Sequence, residues 1–411
     1  MNRKYSLGVV LTLVLTASAL TSLLLSLLFM LSPQSNYLQL GPASQRQHRE
    51  ESISNDRFAE LLHVIDERFI GNFDLTEITE AALRSAVDSL DDEWSYYMNP
   101  EEYASFLASS NNRYHGIGVE VKMDEETTGM LILGVYSDSG ADLAGIVVGD
   151  IVTAVDGESI LGLTLPDIRQ MLRRPLGETA VLTVLRADGE YHDITVLYSI
   201  VFTNPVTFEM LHGSIGYVIL RNFEEDSGDR FISAVNELIE MGAVAFIYDV
   251  RNNNGGRVTE VTKILDFLLP EGEIFISVDR SGVERITRSD AAFIDLPAVV
   301  LVNERSYSGA EFFAAMLFEY EYAVTIGEQT TGKNRMQTTI PLDNGGAIHL
   351  STGHYLTKNR ISLYDVGGFT PDFLIVMTDE ERELFNRGDL ERTLDPQFMK
   401  ALSILQNIIG S

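Results

Sequence analysis

Four uninterrupted apolar runs in the second half of the chain constrain the fold most. "SIGYVILRNF", "AVAFIYDV", "PAVVLVN" and "AVTIG" occur in that order, with helical stretches between the earlier ones: from about Gly228 to Met241, near Thr259 to Leu269, and from Ser308 to about Phe318. A strand with one wet face alternates apolar and polar residues, whereas a strand covered on both faces does not. Continuous runs alternating with helices therefore predict a layered α/β domain. Right-handed crossovers make the strands at 297–303 and 323–327 parallel and bring their C-terminal ends to one sheet edge, where open α/β sheets place their sites.

Three loops should meet at that edge. One carries Ser308 in "NERSYSGAEFF", one is "RNNNGG", and one is "EQTTGKNRMQ", with Lys333 six residues beyond its strand. Serine is a poor nucleophile until a base takes its proton. Lysine qualifies only when neutral, and burial pulls its pKa down from about 10.4. Ser308 opens a helix, so the Gly309 N–H is an unsatisfied donor at a positive dipole end. Gly255 or Gly256 can add a second N–H, completing an oxyanion hole. Gln337, four residues past Lys333, is placed to orient the amine. Taken singly, Ser308 is an N-cap, Lys333 a loop lysine and "NNNGG" a turn; their convergence carries the reading.

Before this domain, residues 114–200 change character. "GIGVEVKM", "MLILGVY", "DIVTAVDG" and a hairpin around Asp188-Gly189 read as strands, and "LPDIRQMLR" as a helix capped by Thr164 with Pro166 in its first turn. This describes a small, partly open β domain. Residues 51–110 read as a helical module, with Asp74 and Glu77 spaced for a capping box and "DDEWSYYMNPEEY" as a turn before a brief helix.

Gly8 to Leu31 is 24 residues without a charge, preceded by Arg3 and Lys4. Such a segment spans a bilayer with its N-terminus cytoplasmic. A cleaved signal peptide is the competing reading, but its apolar region would be shorter and no small-x-small site closes this one. The net charge of −30 argues against nucleic acid and anionic lipid as partners. The chain has no cysteine, which excludes disulfides, a thiol nucleophile and thiolate-bound metal. No HExxH or G-x-S-x-G occurs, His349 and His354 lie on opposite faces of a strand-like segment, and Asp91 and Asp92 read as turn carboxylates. A triad of Ser308, His354 and an aspartate stays open, but nothing positions it.

With these residues in view, the chain resembles the carboxy-terminal processing peptidases, or tail-specific proteases, over essentially everything after the linker. "LDDEWSYYMNPEEY" is similar to the family's Leu-Asp-Pro-His-Ser turn, and Gly116-Ile117-Gly118-Val119 to the carboxylate loop of its PDZ domain. "SGADLAGIVVGDIVTAVDG" looks like the middle of that domain. "YDVRNNNGG", "LVNERSYSGAEFFAAML", "GEQTTGKNRMQ" and "GGFTPD" resemble the motifs of the protease core. The resemblance implies Ser308 as nucleophile, Lys333 as general base 25 residues later and Gln337 as its helper. It also implies a PDZ groove that binds substrate C-termini by strand addition, with Arg173 in a switching role. Tyr307 and Gly309 replace the usual alanines, Ala310 the third serine, Asn334 a glycine and Asn254 a proline.

The implied fold is a crotonase-like α/β protease core with a PDZ β domain, an N-terminal helical module and one transmembrane helix. The expected divisions are a stub and anchor at 1–34, a linker at 35–50, the helical module at 51–110, the PDZ domain at 111–200, the core at 201–376 and a helical tail at 377–411. The expected function is a single-pass, extracytoplasmic serine endopeptidase of a bacterial cell membrane. It acts on protein or peptide substrates held by their C-termini and needs no metal or cofactor. Residues 51–110 and the tail after Glu380 offer surfaces for a homodimer. Two alternatives remain: a catalytically impaired PDZ scaffold and, more weakly, a small-ligand carrier.

Overall fold

A computed structural model describes residues 57–124 and 126–410. The chain divides into two compact units, residues 1–78 and 79–411. In the first, the described part holds a helix over residues 57–68, and Asp74 accepts the Thr76 N–H at the start of the helix Leu75–Asp88. The apolar segment Gly8–Leu31 lies outside the described residues. Among the described residues no helix is long and apolar enough to cross a membrane.

In the second unit, the four apolar runs form the heart of a six-stranded sheet. Its order is Val206–Leu211, Ile215–Leu220, Ala245–Asp249, Ala298–Val302, Ala323–Gly327 and Phe373–Leu374. The first pair is antiparallel and the rest are parallel. Both faces are covered, so successive residues go to different cores. Val218, Phe246, Tyr248 and Val300 pack with helices Ser227–Glu240, Val258–Leu268 and Gly309–Glu319. Ile215, Tyr217, Ile247 and Val299 instead meet Phe398, Ala401 and Leu405 of the helix Pro396–Ile409. This two-sided burial is why the runs show no alternation.

The helix Gly309–Glu319 is buried all round from Ala310 to Leu317 because a second sheet lies over it. That sheet runs Tyr96–Met98, Ala347–Leu356, Gly272–Asp279, Glu284–Ser289, with Arg335–Pro341 pairing to Ala347–Leu356. Phe312 meets the rings of Phe275 and Tyr355 at 5.2 and 5.3 Å. Each such fully buried ring contributes roughly 1.5–3 kcal/mol.

The stretch expected as a turn between helices differs. Tyr96–Met98 is a strand, paired antiparallel with Ala347, Ile348 and His349. Its partner lies far along the chain, where local periodicity carries no signal.

The smaller β domain has strands Val119–Met123, Met130–Val135, Ile151–Val155, Thr179–Leu185 and Tyr191–Leu197 in antiparallel order, with Glu158–Ser159 beside the third. Its helix Leu165–Met171 starts at Thr164, whose hydroxyl accepts the Asp167 N–H, with Pro166 in the first turn. Chain entry and exit are joined as a ribbon, Arg113–Gly116 against Ser199–Phe202.

Candidate active site

The loop after Ala245–Asp249 is fastened from below. Arg251, buried, grips Asp249 with its Nε and Nη2, and Asp395 and Gln397 with its Nη1. Replacing one partner of such a group leaves an uncompensated buried charge, so the loop start is rigid. Asn252 and Asn303 exchange hydrogen bonds, and the Ser306 hydroxyl donates to the Val250 carbonyl. The Tyr307 N–H reaches the Asn253 carbonyl at 3.2 Å. These contacts lay the glycine loop directly against the serine loop.

Ser308 sits at φ 56° and ψ −120° at the mouth of the helix Gly309–Glu319. A non-glycine residue with positive φ outside the left-handed helical well costs of order 1–3 kcal/mol and tends to occur at functional sites. The approach of Gly255 is close. A Cβ there would lie 2.7 Å from the Gly309 nitrogen and 2.8 Å from the Ser308 Cβ, on a backbone with φ +87°. Gly255→Ala is therefore expected to cost about 1–3 kcal/mol of stability and 10²- to 10³-fold in kcat. Urea unfolding and turnover of an unfolded protein substrate check the two figures.

Donors at the edge are divided. The Gly309 and Gly256 N–H groups have no hydrogen-bond partner among the described residues, whereas the Gly255 N–H donates to Asn253 Oδ1 at 2.8 Å. Gly256 bridges to Phe223, whose backbone a Cβ would strike at 2.5 Å.

Lys333 lies in the loop between Ala323–Gly327 and Arg335–Pro341 and is buried. Burial brings its amine pKa down to about 8, against the pull of Glu311, Asp92 and Glu93. Its Nζ lies 4.1 Å from the Trp94 ring centroid and 5.9 Å from that of Tyr307. Burial, reinforced by the Lys333 charge, lowers His349 to about 4, and that imidazole pairs with the Thr339 hydroxyl at 2.8 Å.

Glu311 joins the serine and lysine loops. Its Oε1 accepts the N–H of Ser308 at 2.9 Å and of Lys333 at 2.7 Å. Its Oε2 accepts the Thr330 hydroxyl at 2.7 Å and the Gly332 N–H at 2.8 Å. Burial raises this carboxyl while the four donors oppose the rise. Tyr355, fully enclosed, donates to the Lys333 carbonyl at 2.5 Å. Its phenol is pushed far up by burial and by the Glu311 charge.

Ser308, Gly309, Gly255 and the Lys333 backbone are thus brought together. Gln337 is directed elsewhere: its amide nitrogen donates to the Arg335 carbonyl and the Ser351 hydroxyl at 3.1 and 3.3 Å. No hydrogen bond links the Lys333 amine to Ser308 or Gln337 among the described residues. Trp94, Tyr355 and the bridging role of Glu311 went unread in the sequence. Glu311 had a signal, its place three residues after Ser308, and Trp94 is the chain's only tryptophan.

A second concavity of about 640 Å³ lies on the β domain, lined by Gly116, Ile117, Gly118, Val119, Leu172 and Arg173 among others. Gly118 holds φ +87°, and a Cβ there would lie 2.1 Å from the Ser139 Cβ. The turn is closed by Ala141 N–H to the Ile117 carbonyl and Tyr136 N–H to the Gly118 carbonyl. Such a groove, between a strand and a helix beside a glycine turn, can accept an added strand and its terminal carboxylate.

Residues 214–375 match the model of peptidase family S41, and residues 131–186 match that of a PDZ domain. The chain thus carries a domain of peptidase family S41. This is a family of serine proteases, and here the S41 core is joined to a PDZ domain. The chain is 28% identical over 337 residues to a carboxyl-terminal-processing protease of Synechocystis, covering 80% of this chain and 77% of that protein. It is 29% identical over 328 residues to a carboxy-terminal-processing protease of Bartonella bacilliformis, covering 78% and 74%. A solved S41 protease structure from Bacteroides fragilis shares the fold, with a TM-score of 0.56 at 19% identity over 83% of this chain and 93% of that one.

Proposed function

We propose that this S41 peptidase is a membrane-anchored, extracytoplasmic endopeptidase that cleaves proteins captured by their C-termini. Ser308 is the nucleophile, neutral Lys333 the general base and the PDZ groove at Gly116–Val119 the docking site. The observation that carries this reading is the buried Lys333 amine on a loop stitched by Glu311 to the helix that Ser308 opens. Lys333 takes the hydroxyl proton as Ser308 Oγ attacks the scissile carbonyl. The developing oxyanion receives the Gly309 N–H and a second N–H from the Gly255-Gly256 turn. The ammonium then returns its proton to the leaving amine, and water repeats the sequence to release the acyl group.

A resting form, distinct from the engaged one, is supported by the Lys333 amine lying over Trp94 with no hydrogen bond to Ser308 among the described residues. Peptide binding in the PDZ groove, near Arg173, favours the engaged form by binding it better. The anchor is Gly8–Leu31, supported by its length and by Arg3 and Lys4 before it. A PDZ scaffold without turnover is the second reading, favoured by the engagement of Gln337 with Ser351.

A pH–rate profile tests the proposal. A base with pKa about 8 must be neutral, so kcat/KM rises tenfold per unit below about pH 8 and flattens above. Glu224, raised by burial to about 7 against Arg257, is the neighbouring group to separate, and Glu224→Gln leaves the limb near 8 in place. EDTA leaves the rate unchanged. A flat profile from pH 6 to 9 removes Lys333 as the base, and peptide binding without any cleavage leaves the scaffold.

A further inference from the structure

A buried ammonium needs compensation, and Lys333 is unusual in the groups it has. Glu311, the nearest carboxylate by connectivity, is occupied by backbone and hydroxyl donors and accepts the Lys333 N–H, not its amine. What faces Nζ is aromatic: the Trp94 indole at 4.1 Å and the Tyr307 ring at 5.9 Å, these two rings lying 5.9 Å apart. A cation over an indole face is favourable, more so where water is scarce. Trp94 is held in place by its neighbours. The Ser95 hydroxyl donates to Asp92 and accepts the Ser351 N–H, and Tyr96–Met98 is hydrogen-bonded to Ala347–Leu356.

We propose that Trp94 is a positioning residue whose indole face holds the protonated Lys333 amine in a parked place away from Ser308, so that release from the ring accompanies engagement of the base. The idea rests on the assignment of Lys333 as general base. It follows that Trp94 favours the charged amine and opposes activity only where that charge exists. The other titratable groups facing Lys333 are Glu311 from the serine helix, Asp92 and Glu93 beside Trp94, His349 from the second sheet, and the phenols of Tyr307 and Tyr355. All of them stay in the chain when the indole is replaced, so the comparison of Trp94→Leu with Trp94→Phe reads the aromatic face.

Two measurements on the full-length chain test this. Trp94 is the only tryptophan, so its emission reports the contact directly and without catalysis. Emission is expected to change with a midpoint near pH 8 in the native chain and to lose that transition in Lys333→Met. Trp94→Leu, which removes the indole face but keeps an apolar side chain, is expected to move the acid limb of kcat/KM down by about 0.5–1 pH unit. Rates below the limb then rise about three- to tenfold with the plateau unchanged, and Trp94→Phe falls between. An emission transition that persists in Lys333→Met, or no transition in the native chain, overturns the proposal. So does a Trp94→Leu limb at the native midpoint, including a uniform loss of rate at every pH. If instead Lys333→Ala retains full activity, the base assignment fails while the emission result still stands.

Discussion

Ser308→Ala lowers cleavage of an unfolded protein substrate by about 10⁴-fold or more, and Lys333→Ala does the same. In the proposed dyad the two act as one unit, so the double variant is expected to be no worse than either single one. Lys333→Arg does not restore the rate, because a guanidinium stays protonated at any accessible pH and cannot take the serine proton. Binding separates from chemistry here: the PDZ groove lies on another domain, so Ser308→Ala keeps its affinity for a peptide with a free C-terminus. The measurements are kcat/KM on the substrate and peptide Kd by calorimetry. Native-level turnover in Lys333→Ala would rule out the dyad.

Glu311→Ala is the second large effect, and it falls on stability as well as rate. Removing the carboxylate strands the N–H groups of Ser308, Gly332 and Lys333 and the hydroxyl of Thr330. Thr330 also accepts the Phe369 N–H, so the loss spreads to the loop that carries "GGFTPD". The expected loss is about 3–5 kcal/mol, since breaking a buried charged network leaves its other members unpaired. Glu311→Gln keeps the volume but turns an NH₂ toward N–H donors, and about 1–3 kcal/mol is lost. Both variants lose about 10²-fold or more in kcat, because the serine and lysine loops no longer share a side chain. Urea unfolding and single-turnover rates test this. A Glu311→Ala chain as stable and as active as the native one would show that the two loops are held by something else.

The sequence by itself determined the layered core. Continuous apolar runs demanded two covered faces, and the handedness of crossovers sent the ends of parallel strands, with Ser308 and "RNNNGG" just beyond them, to one edge. Those are local patterns and a general rule of chirality, both readable one segment at a time. Only the tertiary structure decided what surrounds the Lys333 amine. Four-residue spacing put Gln337 near Lys333 on paper, yet a register shift between Met336 and Gln337 accompanies its pairing to Ser351 instead. The aromatic face over the amine comes from Trp94, on a turn bound to the second sheet through a hydrogen bond between residues 256 apart, Ser95 and Ser351. No local periodicity records a contact at that separation; it exists because Tyr96–Met98 pairs with Ala347–Leu356 in the second sheet and carries Trp94 with it.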